Sequence, residues 1–152
     1  MKTILTIVII LTLAGMVDSG YALQQHYSTA ETSSCDFNAT VNCTAVNQSQ
    51  YSEVFGLPVA GLGLAGYVVM EVLAVLMLAG KGPQRRLHQA LLILAVVALA
   101  ASLALTYIEL FVIEAVCPLC VVSLALVTAI TVLAIVTTVI RGRTLRGGSL
   151  ET

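Results

Sequence analysis

Four long apolar runs, at about 3–24, 57–79, 88–112 and 118–140, alternate along the chain with more polar stretches at 25–56, 80–87, 113–117 and 141–152. Each run reaches the roughly 20 residues that a helix needs to cross the hydrocarbon core of a bilayer. An open sheet leaves its backbone groups unpaired in lipid, so the runs are predicted as helices. The chain then reads as an all-α integral membrane protein, a four-helix bundle with a long loop between its first two helices. Asp18 interrupts the first run and Lys2 precedes it, a pattern shared with secretory signal peptides. No clear small-x-small cleavage site follows, and a retained helix is expected.

Composition points the same way. Of the 152 residues, 59% are hydrophobic and 10% charged, with a mean hydropathy of +1.00; soluble domains run at roughly 45–50% and about 25%. A net charge of -1 supplies no clustered basic surface for phosphates, which argues against nucleic acid as a partner. The length fits one compact unit. All seven basic residues, Lys2, Lys81, Arg85, Arg86, Arg141, Arg143 and Arg146, fall at the amino terminus, between runs two and three, or in the tail. Segments 25–56 and 113–117 have neither Lys nor Arg. The positive-inside rule therefore predicts both termini in the cytoplasm and these two segments outside it, in a multi-pass protein of the plasma or inner membrane.

Segment 25–56 is rich in Ser, Thr, Asn and Gln, with Glu31, Asp36 and Glu53 as its only acids. Little regular structure is expected there, apart from an apolar cluster at Val54, Phe55, Gly56, Leu57 and Pro58 lying at the membrane surface. Asn38, Asn42 and Asn47 each satisfy the glycosylation pattern, which matters only in a eukaryotic secretory compartment. The tail from Arg141 onward is expected to fray.

The four cysteines gather on one predicted side. Cys35 and Cys43 lie in the long loop, and Cys117 and Cys120 where the last helix begins. In that compartment disulfides form and persist, so two structural disulfides are one reading. The other is redox chemistry. Cys117-Pro118-Leu119-Cys120 sets two sulfurs at i and i+3 on one helical face, with Pro118 suited to the first helical position. A disulfide within one turn closes almost no loop and adds little stability. The helix N-terminus also favours a thiolate over a thiol. A thiolate zinc site usually pairs two short knuckles, which Cys35-x7-Cys43 is not, so no metal is expected.

Cys35-x7-Cys43, then Ser49 six residues on, then Phe55-Gly56-Leu57-Pro58 opening an apolar helix, then Cys117-Pro118-Leu119-Cys120 heading the last helix, together resemble the vitamin K epoxide reductase family and its prokaryotic homologues. The likeness spans nearly the whole chain. It implies a four-helix bundle around a quinone of the ubiquinone, menaquinone or vitamin K type. It also implies loop cysteines that relay electrons from a thioredoxin-fold redox protein, supporting disulfide-bond formation. On this resemblance Cys35 is met first by the partner, Cys43 shuttles to Cys117, and Cys120 faces the quinone. Ser49 matches the family's loop Ser/Thr, which helps place the loop over the site. Leu124 stands where vertebrate members carry a tyrosine four residues after the last cysteine, which weakens the expectation of epoxide reduction. Many bacterial homologues carry a fused thioredoxin-like domain, whereas 12 residues follow Ile140 here, so the partner is expected in trans. The rival readings are a non-catalytic four-helix protein with structural disulfides, and a vitamin K epoxide or quinone reductase proper.

Other residues leave alternatives open. Glu71 sits inside the second helix, where a carboxylate costs roughly 2.5–3.5 kcal/mol on insertion scales. It serves a function, is protonated, or leans toward the adjacent loop. Glu109 and Glu114 lie near Cys117, as ordinary interfacial acids or as relays for the protons that quinone reduction consumes. Tyr107 and Phe111 share a helix face, as a wall for the quinone ring or as interfacial aromatics. Gly61, Gly63 and Gly66 suit close helix packing. His26 and His88 fall on opposite sides of the membrane and cannot share a metal.

Overall fold

The computed structural model describes residues 2–28 and 35–147, with side chains as far as residue 140. Four of its helices are long and apolar enough to span a membrane. They are α1 (Lys2–Tyr27), α3 (Val59–Leu78), α4 (Gln84–Ile108) and α5 (Pro118–Gly147). Between α1 and α3 lie a short helix α2 (Cys43–Asn47) and a two-residue-per-strand hairpin, β1 (Glu53–Val54) with β2 (Leu57–Pro58).

The helix ends follow local chemistry more closely than hydropathy. Gly80, at φ 68°, ends α3 in a left-handed turn. There the Lys81 N–H donates to the Leu76 carbonyl at 3.0 Å and the Gly80 N–H to that of Met77 at 3.2 Å, the paired bonds of a glycine C-terminal stop. Pro83 then caps α4, which begins at Gln84 rather than near 88, because a proline just ahead of a helix costs no hydrogen bond. At its far end α4 widens into a π-helical turn, Glu109–Ile113, closed by Glu114 in the left-handed region at φ 55°. In α5 the helical backbone runs on to Gly147, so the expected fraying at Arg141 is not found up to that residue. Residues 148–152 and 29–34, Glu31 among them, lie outside the described residues.

α1 packs along α3 and α5, and α4 against α5 and α3. The interior cluster includes Val8, Tyr67, Met70, Ala74, Leu91 and Ile130. Small residues permit the closest approach: a Cβ on Gly15 would collide with the ring of Tyr67, the use of small residues by membrane helices that lack a hydrophobic drive to associate. Ile10, Val17, Ile93 and Val96 stay exposed, as befits positions facing lipid. The Thr12 hydroxyl donates to the Glu71 carboxyl between α1 and α3, which places Glu71 at a helix interface and not in the adjacent loop.

The long loop is more ordered than its composition suggested. Asn42 caps α2 by accepting the Ala45 N–H at 2.7 Å, and Asp36 accepts both the backbone N–H and the hydroxyl of Thr44. Asn38 accepts the N–H groups of Thr40 and Val41. In the hairpin, Phe55 and Gly56 form a two-residue turn with φ 54° and 76°, whose twist matches that of the strands. His26 ties α1 to this loop: Nδ1 meets the Asn47 carbonyl at 2.7 Å and Nε2 the Glu53 carboxylate at 3.2 Å.

Candidate functional site

The loop and the head of α5 are stitched together immediately before their cysteines. Val41 and Val116 form a parallel bridge, in which the Asn42 N–H donates to the Val116 carbonyl at 3.1 Å and the Val116 N–H to that of Thr40 at 2.7 Å. Cys43, two residues past Val41, and Cys117, the residue after Val116, are consequently brought face to face. Both are fully buried, and their sulfurs stand 3.4 Å apart. Cys43 is disulfide-bonded to Cys35, while Cys117 and Cys120 are free thiols.

Cys117 directly precedes α5, and the Val121 N–H donates to its carbonyl at 3.2 Å. The Cys120 thiol, one turn on, and the backbone N–H groups of Cys120 and Leu119 hold the Cys117 thiol below its ordinary range, overcoming the opposing effect of burial. A thiolate is the attacking species in disulfide exchange, so this arrangement aims a nucleophile at Cys43. The Asn47 amide adds a long contact to Cys117 Sγ at 3.9 Å.

Beside these sulfurs opens a cavity of about 580 Å³, bounded by all four long helices and by the loop. It falls within the size of pockets that take a small organic molecule. Its walls are mainly aliphatic, with polar groups at a few points: Cys120, Asn47, Ser49 and Glu109 among them, and Tyr67 with Ser123. The Tyr67 hydroxyl and Ser123 Oγ are 2.9 Å apart. A flat, largely apolar ring with carbonyl oxygens fits such a chamber, and Asn47 supplies a donor and Cys120 a thiol toward it.

Of the residues singled out in the sequence, Cys35, Cys43, Cys117 and Cys120 come together, and Ser49 lies with Cys120 on the cavity wall. The Ser49 hydroxyl donates to the Val46 carbonyl at 2.8 Å, and its own carbonyl accepts the Ser52 N–H and hydroxyl, so it secures the strand returning from α2. Tyr107 and Phe111, read as a quinone wall or as interfacial aromatics, stand apart from these residues. They stack on one another with centroids 4.8 Å apart but are 61% and 67% exposed and form no part of the cavity wall. The face of α4 that carries them points outward, and the wider turn brings Glu109 inward instead. Glu114 is exposed. Asn47 and His26 went unrecognised in the sequence as site residues; the only signal on Asn47 was its glycosylation pattern, and on His26 its place at the end of an apolar run.

Free thiols poised against a disulfide, beside a chamber walled by membrane-spanning helices, define an oxidoreductase of the membrane. The comparison with family models gives that class its family: residues 6–135 match the Vitamin K epoxide reductase family, and the chain belongs to it. A search of curated proteins returns no match. Membership brings oxidoreductase activity and a general association with quinones, and the four cysteines fit both.

Proposed function

We propose that this protein carries electrons from a thioredoxin-fold dithiol, acting in trans, through its two cysteine pairs to a membrane quinone, and so supports disulfide-bond formation. The observation that carries this reading is the 3.4 Å contact between the sulfurs of Cys43 and Cys117. A contact of that length joins the two pairs into one path.

In the first exchange a partner thiolate attacks Cys35, the Cys35–Cys43 bond breaks, and a mixed disulfide with the partner forms. The partner's second thiolate resolves it, leaving the partner oxidised and Cys35 and Cys43 reduced. Cys43 then attacks Cys117 of an oxidised Cys117–Cys120 pair and releases the Cys120 thiolate toward the cavity. Attack of Cys35 on Cys43 restores the loop disulfide and leaves Cys117 and Cys120 reduced, the state in which the cysteines stand here. A bound quinone would supply the sink for two electrons and two protons. Around it, Cys120 offers the thiol, Asn47 a hydrogen-bond donor, and the aliphatic walls keep water out. Ser49 holds the loop over the chamber.

The segregation of Lys and Arg supports a cytoplasmic location for both termini and an extracytoplasmic one for all four cysteines. A structural role for the disulfides alone leaves the free thiol pair and the adjoining cavity without a use. The test is anaerobic: purified protein with a reduced thioredoxin-fold donor and a soluble quinone analogue, followed by quinone absorbance. Loss of oxidised quinone that needs both the donor and all four cysteines is expected. Donor oxidation without quinone reduction would overturn the proposal.

A further inference from the structure

Among the described residues, Glu109 is the one acid in the cavity wall at the cysteine end whose side chain is almost wholly buried, at 3% exposure. It opens the π-helical turn at the end of α4, and turns of this kind inside helices are frequent at functional sites. One of its oxygens, Oε2, accepts the Cys117 N–H at 3.3 Å. The other, Oε1, has no hydrogen-bond partner among the described residues. A buried carboxyl oxygen without a partner costs free energy, so its retention calls for a use. The Cys120 thiol stands beside this carboxyl.

We propose that Glu109 is a catalytic residue, the proton shuttle between the inner thiols and the oxidant in the cavity. This rests on the reading that Cys120 meets a quinone there. Forming the Cys117–Cys120 disulfide removes two electrons and two protons from the two thiols, and a quinone takes up the same number to become a hydroquinone. The Glu109 carboxylate accepts the Cys120 proton as that sulfur reacts and passes it to a quinone oxygen. Ionised again, it does the same for the Cys117 proton as Cys117 attacks Cys120 and closes the disulfide. The carboxyl ends each cycle as it began. Oε2, bound to the Cys117 N–H, fixes the group in place while Oε1 moves the proton.

A bland alternative is that Glu109 merely satisfies the Cys117 N–H, and Glu109→Gln separates the two, because the amide oxygen still accepts that bond but the side chain carries no proton. The first readout needs no quinone: the rate at which Cys120 of the reduced protein is alkylated by a small neutral maleimide, measured against pH and assigned by mass spectrometry. In the parent the profile should carry an acidic limb that titrates with the carboxyl. Glu109→Gln should lose that limb and react about 100-fold more slowly at neutral pH, the scale of a lost general base, while Glu109→Asp keeps it in weaker form. Exchange of Cys35–Cys43 with added dithiol, unchanged in the variants, verifies the fold. A parent-like profile in Glu109→Gln, or equal impairment in Gln and Asp variants that keep loop exchange, would overturn the proposal. Quinone turnover forms the second arm. A parent that reduces no quinone yet shows the carboxyl-dependent limb refutes the quinone reading and leaves Glu109 as base for Cys120.

Discussion

Asn42→Ala is expected to slow the transfer between the two cysteine pairs while removing no sulfur. Asn42 Oδ1 accepts the Ala45 N–H at 2.7 Å and so caps the first turn of α2, the helix that begins with Cys43. Loss of a cap of this kind costs about 1 kcal/mol, within a range of about 0.5–2. A five-residue helix has no cooperative reserve to absorb that cost. The cost therefore falls on the placement of Cys43, whose approach to Cys117 depends on α2 and on the two backbone bonds to Val116. One kcal/mol in the population of the exchange geometry is a factor of about five in rate. The assay uses a Cys120→Ala background, in which Cys117 attacks Cys43 and expels Cys35. Alkylation traps the freed Cys35 at timed intervals, and mass spectrometry quantifies the linked peptides. Asn42→Ala should lower that rate about fivefold, and Asn42→Asp, which keeps the cap acceptor, should stay within about twofold of the parent. Equal rates in Asn42→Ala and the parent, or equal slowing by both substitutions, would refute the reasoning.

Cys117 is held below the ordinary thiol range chiefly by the Cys120 thiol. Its thiolate therefore persists to lower pH than that of a free cysteine, and the pH midpoint for its alkylation should move upward in Cys120→Ala. Gly15→Ala would drive a methyl group into the Tyr67 ring; a loss of about 1–3 kcal/mol, typical of overpacking, should appear in denaturation from mixed micelles, and an unchanged midpoint would contradict the packing described. Ala98→Phe fills part of the cavity and should cut quinone turnover at least about tenfold while Cys35–Cys43 exchange with a dithiol proceeds normally, the loss of a well-fitting apolar contact being worth that much. Tyr107→Ala and Phe111→Ala should leave turnover within about twofold, as substitutions at exposed positions away from the site generally do; a large loss in either would restore them to the quinone wall.

Much of the fold was legible because the bilayer imposes one strong requirement, a run of apolar residues long enough to cross it. The four spans follow from that alone, and the meeting of the two cysteine pairs follows from their shared end of the bundle. Which side of α4 faces the cavity was not legible. In a soluble helix the polar face marks solvent, whereas here lipid and cavity are both apolar, so Tyr107 and Phe111 carried no sign of facing outward. The inward turn of Glu109 depends on one extra residue in a helical turn, which no periodicity announces. Helix α2 and the hairpin at Glu53–Pro58 are too short to show a period, and are held by particular bonds from Asn42, Asp36 and His26. The bridge between Val41 and Val116 joins segments far apart in sequence, and only the fold reveals it.

The contact between Cys43 and Cys117 is the hinge of the whole account, and the covalent linkage of that pair tests it most directly. In Cys120→Ala protein, Cys35 freed by exchange is alkylated and the remaining disulfide is identified by peptide mass spectrometry without reduction. A Cys43–Cys117 linkage with alkylated Cys35 is the expected result. Recovery of Cys35 joined to Cys117, or of Cys35–Cys43 alone beside an alkylated Cys117, would contradict it.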